Sequence, residues 1–117
     1  MLKIKEMLLK LLTVKTVTPS ITATTGTLQA AQANQCGRVV QLTVAVRNST
    51  QTAAGSNVFQ GTIESKYRPK SVCHATGYFG SSGCVLQISA DGTVTVRVIG
   101  AALAANSTAY VGITYLV

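Results

Sequence analysis

The sequence has few of the residues that perform catalysis. Its 117 residues include one His and three acidic residues, and tryptophan is absent. Asp91 belongs to an Asp-Gly turn signal and Glu6 to the N-terminal segment, so Glu64 has no second carboxylate for hydrolysis. Cys73 and His74 are neighbours in an extended segment, where adjacent side chains point to opposite faces. We therefore expect a protein that is not an enzyme, with no catalytic residues and no cofactor.

Cysteine is scarce, and its spacing excludes a zinc centre. Cys36, Cys73 and Cys84 are an odd set without a Cys-x-x-Cys motif, so no metal site is expected. Cys73 and Cys84 can form a bridge between adjacent strands, or can stay buried thiols that behave as small apolar side chains. This cysteine usage fits assembly in a reducing cytosol better than a disulfide-stapled secreted module.

Charge and bulky aromatic residues are also sparse. Charged residues make up 11% of the chain and hydrophobic residues 47%, a balance that excludes intrinsic disorder. The length fits one domain. Only 2 Phe and 4 Tyr are present, and much of the apolar content is Ala and Val, which each remove little apolar area from water. We expect part of the apolar surface to be buried against other subunits.

The basic excess does not indicate nucleic acid. Ten Lys and Arg against three acidic residues give a net charge of +7. Four of these lysines lie in the first fifteen residues, and the rest are scattered except for Lys66, Arg68 and Lys70. No RNP-like motif, zinc-finger spacing or arginine-rich run accompanies them. We expect no nucleic-acid partner.

No long apolar run is present. The longest apolar stretch, Met7 to Leu12, is interrupted by Lys10, whereas a membrane span needs about 20 residues. The stretch also falls short of an uninterrupted signal-peptide core. We therefore expect a soluble chain with no membrane insertion and no targeting segment.

Residues 1–15 have the pattern of an amphipathic helix. They contain no Gly or Pro and are rich in Leu, Lys and Met. Apolar residues recur at spacings of 3 and 4, which places them on one seam. The seam predicted to mediate oligomerisation consists of Met1, Ile4, Met7, Leu8, Leu11 and Leu12. Because a helix this short is marginal alone, it needs its own copies, another protein or an anionic membrane as a partner.

The remaining sequence has the pattern of an all-β domain. Residues 16–26, which include Pro19, are predicted to be a connector, and residues 27–117 a β-sandwich head. Seven short strands are expected in an antiparallel sandwich or barrel. Val40, Leu42, Val44 and Val46 are predicted to face inward. Asp91-Gly92 signals a two-residue hairpin turn.

Two small clusters are candidates for recognition. Lys66, Tyr67 and Arg68 lie on one charged loop, and Tyr78 and Phe79 flank a Gly-Ser turn. Aromatic rings stack on the apolar faces of sugars, and guanidinium groups donate in pairs to carboxylates or phosphates. A rim that combines them can bind charged glycans. Alternatively, the aromatics are half-buried at a sheet edge and the cations only solvate the loop.

The order of these segments resembles a known family. GRVVQLTVAV, the Tyr67-Arg68-Pro69 loop, CVLQISADGTVTVRV and the terminal TAYVGITYLV together resemble the receptor-binding head of bacteriophage tail-fibre or baseplate proteins. The resemblance covers residues 27–117. It implies an antiparallel jelly-roll-like β-sandwich head, a homotrimer and saccharide sites on the head, often at subunit boundaries. It also implies that Tyr67 and Arg68 lie near the rim.

The function expected from this resemblance is host attachment. The chain would bind a bacterial cell-surface glycan as part of a virion tail or other surface appendage, assembled in the host cytoplasm. The N-terminal helix would attach it to another tail, baseplate or capsid protein. Three alternatives remain: a structural virion decoration or fibre trimer without a ligand, a secreted trimer similar to tumour-necrosis-factor or C1q heads, and a membrane-active basic helix.

Overall fold

The computed structural model describes residues 13–79 and 82–117. Over these ranges the chain is mainly β, as predicted, with one short 3₁₀ helix at Ser65–Tyr67. The strands are β1 (Lys15–Val17), β2 (Ile21–Thr25), β3 (Thr27–Cys36), β4 (Val39–Arg47), β5 (Asn57–Ile63), β6 (Cys73–Phe79), β7 (Ser82–Ile88), β8 (Thr93–Ile99) and β9 (Thr108–Leu116).

The described strands form a single antiparallel sheet in the order β1-β3-β4-β9-β6-β7-β8-β5-β2. Strands β4 and β9 pair over nine positions and β6 and β7 over seven, but β6 and β9 share only the pair Tyr78–Tyr110. This sparse pairing divides the sheet into a first half-sheet of four strands (β1, β3, β4 and β9) and a second half-sheet of five strands (β6, β7, β8, β5 and β2). The predicted sandwich is therefore one curled sheet whose halves face each other.

The period-two sequence pattern determines which side chains enter the core. Four residues of β4 were predicted to face inward, and all four are buried: Val40, Leu42, Val44 and Val46. From the other half, β7 buries Leu86 and Ile88. All of these residues belong to one hydrophobic cluster, so the core lies between the two halves of the sheet. Phe59 of β5 is among its largest fully buried side chains.

The connector predicted over 16–26 is wrong, because this segment contributes two strands. Strand β1 pairs with β3 at one edge of the sheet, and β2 pairs with β5 at the other. Only residues 18–20 join them, and four peptide units reach about 14 Å at most. The two sheet edges therefore lie close together. Ser20 fastens this crossing, since its N–H donates to Glu64 Oε1 at 3.0 Å and its carbonyl accepts from Glu64 N–H.

The predicted N-terminal helix lies almost wholly outside the described residues. Its apolar seam falls there entirely: Met1, Ile4, Met7, Leu8, Leu11 and Leu12. The predicted end at residue 15 is wrong, because Lys15 begins β1 and pairs with Gln35. Backbone pairing with β3 holds this residue in an extended conformation.

The hairpin between β7 and β8 has a three-residue loop, not the predicted two-residue turn. Gly92 N–H donates to Ser89 O at 2.9 Å, and Ser89 N–H donates to Thr93 O at 3.0 Å. Gly92 has a φ of +94°, while Asp91 does not have a positive φ. This is the arrangement of a tight turn followed by a left-handed glycine. Asp91 closes the loop by accepting from Thr93 N–H at 2.9 Å.

Candidate ligand-binding surface

The loop after β5 holds Tyr67 inside the protein, which contradicts its predicted role as a stacking platform. Tyr67 is 4% exposed. Its carbonyl accepts a hydrogen bond of 2.6 Å from the Tyr115 hydroxyl. Lys66 is exposed, and its Nζ lies 5.4 Å from the centroid of the Tyr67 ring. The ring therefore faces the core, and Lys66 alone of the pair is accessible to a ligand.

Arg68 supports the fold on the same loop. Its Nε donates to the carbonyl of Ile63 at 3.1 Å, and its guanidinium lies against Gly92 of the β7–β8 hairpin. The pKa of Asp91 is lowered mainly by the hydrogen bonds from Thr93, with a smaller contribution from the positive charge of Arg68. Because its Nε is already engaged, Arg68 joins this loop to the hairpin rather than presenting a free fork to a ligand.

Tyr78 is exposed on the outer face, at the junction of the two half-sheets. It is 58% exposed, and Tyr110 opposite it is 52% exposed. The two ring centroids are 5.9 Å apart, with the planes tilted by 36°. Phe79 is the last residue of β6. The Tyr pair is a solvent-facing aromatic surface of the kind on which a sugar can stack.

The five predicted ligand-binding residues do not converge on one site. The loop of Lys66, Tyr67 and Arg68 contacts β9 at Tyr115, whereas Tyr78 pairs with Tyr110. Five residues along a strand span about 16 Å. The two clusters therefore belong to different regions of the head. Both clusters were expected on one rim, but the register between β6 and β9 separates them.

A polar depression on the outer face of the second half-sheet was not predicted. It has a volume of about 250 Å³ and is lined by Asn57, His74, Val85, Gln87, Thr95 and Arg97. These residues come from four strands and from separate parts of the sequence. Only the strand register brings them together, since Val85 lies opposite Arg97, and Gln87 lies opposite both His74 and Thr95.

The depression is built from residues that alternate with the core. Leu86 and Ile88 of β7 point inward and are fully buried, so Val85 and Gln87 between them point outward. Neighbouring strands lie about 4.8 Å apart, so His74 and Thr95 flank Gln87 at short range. His74 Nε2 lies 3.2 Å from Gln87 Oε1, a hydrogen bond across the strand pair.

The thiols of β6 and β7 are not joined. Cys73 lies opposite Ile88, while Cys84 lies opposite Gly77, so the two cysteines are offset by four residues along the ladder. Both are thiols, as one of the two alternatives expected. Burial raises the pKa of each thiol above its ordinary value, against a smaller opposing effect of a backbone hydrogen bond. Both thiols are therefore mainly protonated at neutral pH and poor nucleophiles.

Residues 13–79 and 82–117 contain no cluster of three or more His, Cys, Asp or Glu side chains that can hold a metal ion. Across the same ranges, no helix has the length and apolar character needed to cross a bilayer.

The fold of the chain is similar to that of a viral fibre head. The fibre head domain of the Atadenovirus snake adenovirus 1 matches with a TM-score of 0.51 and 13% sequence identity. The match covers 88% of this chain and 94% of that chain. At this identity the likeness concerns the fold, which is a viral fibre-head-like β fold. No family model and no curated protein matches the sequence.

Proposed function

We propose that this chain is the receptor-binding head of a bacteriophage tail fibre or baseplate. It acts as a homotrimer on the virion surface, binds a saccharide of the bacterial cell surface and performs no catalysis. The main support for the proposal is the fold, which is similar to that of a viral fibre head over 88% of the chain. The bacteriophage origin is supported by the sequence resemblance of residues 27–117. The N-terminal segment attaches the head to another tail, baseplate or capsid protein.

The trimer is supported by an uncharged face on the first half-sheet. This face consists of the outward-pointing residues of β3, β4 and β9 from the row of Ala45 and Tyr110 to the row of Val39 and Leu116, so Arg47 lies outside it. Among its described residues, no charged side chain lies between the row of Ala45 and Tyr110 and the row of Val39 and Leu116. Val39 and Leu116 are 44% and 56% exposed, although both are large apolar side chains. Exposed apolar surface of this kind marks an interaction site.

The lack of charge on this face favours contact with a second copy of the chain. The chain carries a net charge of +7, so most orientations bring like charges together when two copies meet. The uncharged face avoids that repulsion. It also consists largely of small or flat residues, such as Ala30, Thr43 and Gly112, which allow close approach of another sheet.

Saccharide binding is supported by exposed polar and aromatic groups on the outer surface. Tyr78 offers an exposed ring face, and the depression around His74 and Arg97 offers hydrogen-bond donors. A shallow site of this kind binds weakly on its own. Several copies on one virion raise the effective affinity, because the later binding events become intramolecular.

The proposal is tested by binding of the fluorescently labelled full chain to a panel of bacterial strains and to their purified surface polysaccharides. We expect saturable binding to a subset of strains, and competition by the polysaccharide of those strains. A homotrimer that binds none of the strains or polysaccharides contradicts the proposal. That result favours the structural alternative, a virion decoration without a ligand.

A further inference from the structure

We propose that the depression lined by Asn57, His74, Gln87 and Arg97 binds the carboxylate of an acidic saccharide. This inference rests on the proposed function and names the class of saccharide and the site that holds it. It differs from the sequence-based expectation, which placed the ligand at Lys66, Tyr67, Arg68, Tyr78 and Phe79. Three features favour this site. The depression has hydrogen-bond donors for a carboxylate, it has an apolar floor, and no acidic side chain of the described residues competes for its cation.

Arg97 supplies the charge and the geometry for a carboxylate. It is exposed on β8, and no hydrogen bond or ion pair to another described residue engages its guanidinium. A free guanidinium can donate two parallel hydrogen bonds to one carboxylate. Asn57 lies opposite Arg97 in the β5–β8 ladder, and both residues line the depression. The two residues form one polar wall.

The opposite wall and the floor suit a sugar ring. His74 and Gln87 are joined by the 3.2 Å contact between Nε2 and Oε1, which ties this wall together across β6 and β7. Val85 borders both this wall and Arg97, because it lies two residues before Gln87 on β7 and opposite Arg97 in the β7–β8 ladder. Its partly exposed side chain provides an apolar floor for the C–H face of a sugar.

No acidic side chain of the described residues competes for Arg97. The two acids in these ranges are engaged elsewhere. Glu64 Oε1 accepts from Ser20 N–H at 3.0 Å, and Asp91 Oδ1 accepts from Thr93 N–H at 2.9 Å. The depression therefore presents uncompensated positive charge, which favours an anionic ligand over a neutral one.

The experiment measures binding of the full chain to glycans that end in sialic acid or a uronic acid, beside their neutral and sulfated counterparts. We expect binding to the carboxylate-bearing glycans only. Arg97→Gln should weaken it roughly 10-fold to 100-fold, because it removes a charge-assisted pair of hydrogen bonds. Arg47→Gln is the matched control: Arg47 is exposed on β4, and its loss changes the net charge equally. Binding by this variant should stay within about twofold of wild type.

Three outcomes overturn the inference. An equal loss in Arg97→Gln and Arg47→Gln means that net charge, not this site, attracts the glycan. Binding that follows sulfate, or that neutral glycans share equally, excludes a carboxylate site. Unchanged binding by a folded Arg97→Gln variant places the ligand elsewhere. In each case the wild-type chain still binds a saccharide and the proposed function stands; it fails separately if the wild-type chain binds neither glycans nor cells.

Discussion

At the scale of single residues, Asn48 is a buried polar centre that joins two loops. It is 4% exposed. Its Nδ2 donates to Thr52 Oγ1 at 3.2 Å and to Ala104 O at 3.0 Å, and its Oδ1 accepts from Ser107 N–H at 2.8 Å. A short isolated bridge between Thr52 and Leu103 lies beside it. The loops between β4 and β5 and between β8 and β9 are thus fastened to each other.

Asn48→Ala should lower the free energy of unfolding by about 2–3 kcal/mol, because it leaves the buried Thr52 hydroxyl and the part-buried Ser107 N–H without their partner and removes one of the two donors to Ala104 O. The measurement is urea unfolding followed by circular dichroism. Gln51→Ala is the control, since Gln51 is an exposed amide of the same loop and its removal should change stability by less than about 0.5 kcal/mol. Equal effects of the two substitutions would show that the loops are not joined through Asn48.

Tyr115 makes stability depend on pH in the alkaline range. Burial raises the pKa of its phenol above the ordinary value of 10.0, with smaller contributions from Cys73 and Tyr67. Above about pH 10 the folded chain therefore binds more protons at this group than the unfolded chain, so stability falls as pH rises. Below about pH 10 the stabilising contribution of the protonated Tyr115 phenol is fully present.

Unfolding free energies at about pH 8 and about pH 11 test this dependence. Tyr115→Phe should lose about 1–2 kcal/mol at the lower pH, because Tyr67 O loses its donor. The free energy of unfolding of the variant should also fall less steeply than that of wild type between the two pH values. Identical slopes in the two proteins would contradict a buried, protonated phenol.

The sequence predicted the burial of individual side chains correctly where they alternate between the core and the solvent along a strand. The inward residues of β4 and β7 follow from period-two patterning alone. Prediction from sequence failed for Tyr67 and Arg68, because a loop has no period that tells which side chain returns to the core. It missed the depression because His74, Gln87 and Arg97 become neighbours only through strand register, which the sequence leaves open.

At the scale of elements, the junction between β6 and β9 depends on Gly77. A Cβ at this position would collide with Tyr110 O and Val111 Cγ2. Gly77→Ala should therefore push the strands apart and lower the free energy of unfolding by about 2–3 kcal/mol, as overpacking does. It should also separate the Tyr78 and Tyr110 rings.

Thermal or urea unfolding of Gly77→Ala and Gly112→Ala checks this prediction. Gly112 is the matched control on β9, because an added Cβ would lie 3.6 Å from Thr43 Cγ2, an ordinary contact. Its substitution should change stability by less than about 1 kcal/mol. A Gly77→Ala variant as stable as Gly112→Ala would mean that the half-sheets are not held at this close approach.

The strands that the sequence predicted most clearly are those with strong alternation of apolar residues, such as β4, β8 and β9. Strands β1 and β2 were missed because their residues are mainly Thr and Ala and remain largely exposed at the sheet edges. Their pairing is set by β3 and β5, which lie elsewhere in the chain. Edge strands of this composition carry no local signal that separates them from a connector.

At the scale of the whole molecule, the proposed trimer forms through the uncharged face of β3, β4 and β9. Thr114 is exposed near the centre of this face, opposite Gln41. Thr114→Lys should dissociate the trimer, because each copy then buries an unpaired charge at the interface. Size-exclusion chromatography checks this outcome. Thr62→Lys is the control, since Thr62 is an exposed threonine of β5 on the other half-sheet; a trimer that survives both substitutions excludes this face.

The mass of the full chain in solution tests the trimeric fibre-head assignment most directly. Each chain has a mass of 12.2 kDa, so light scattering of a homotrimer should give 36.6 kDa. That value should persist on dilution to concentrations at which the chain binds cells. A stable, folded species of 12.2 kDa would contradict the assignment.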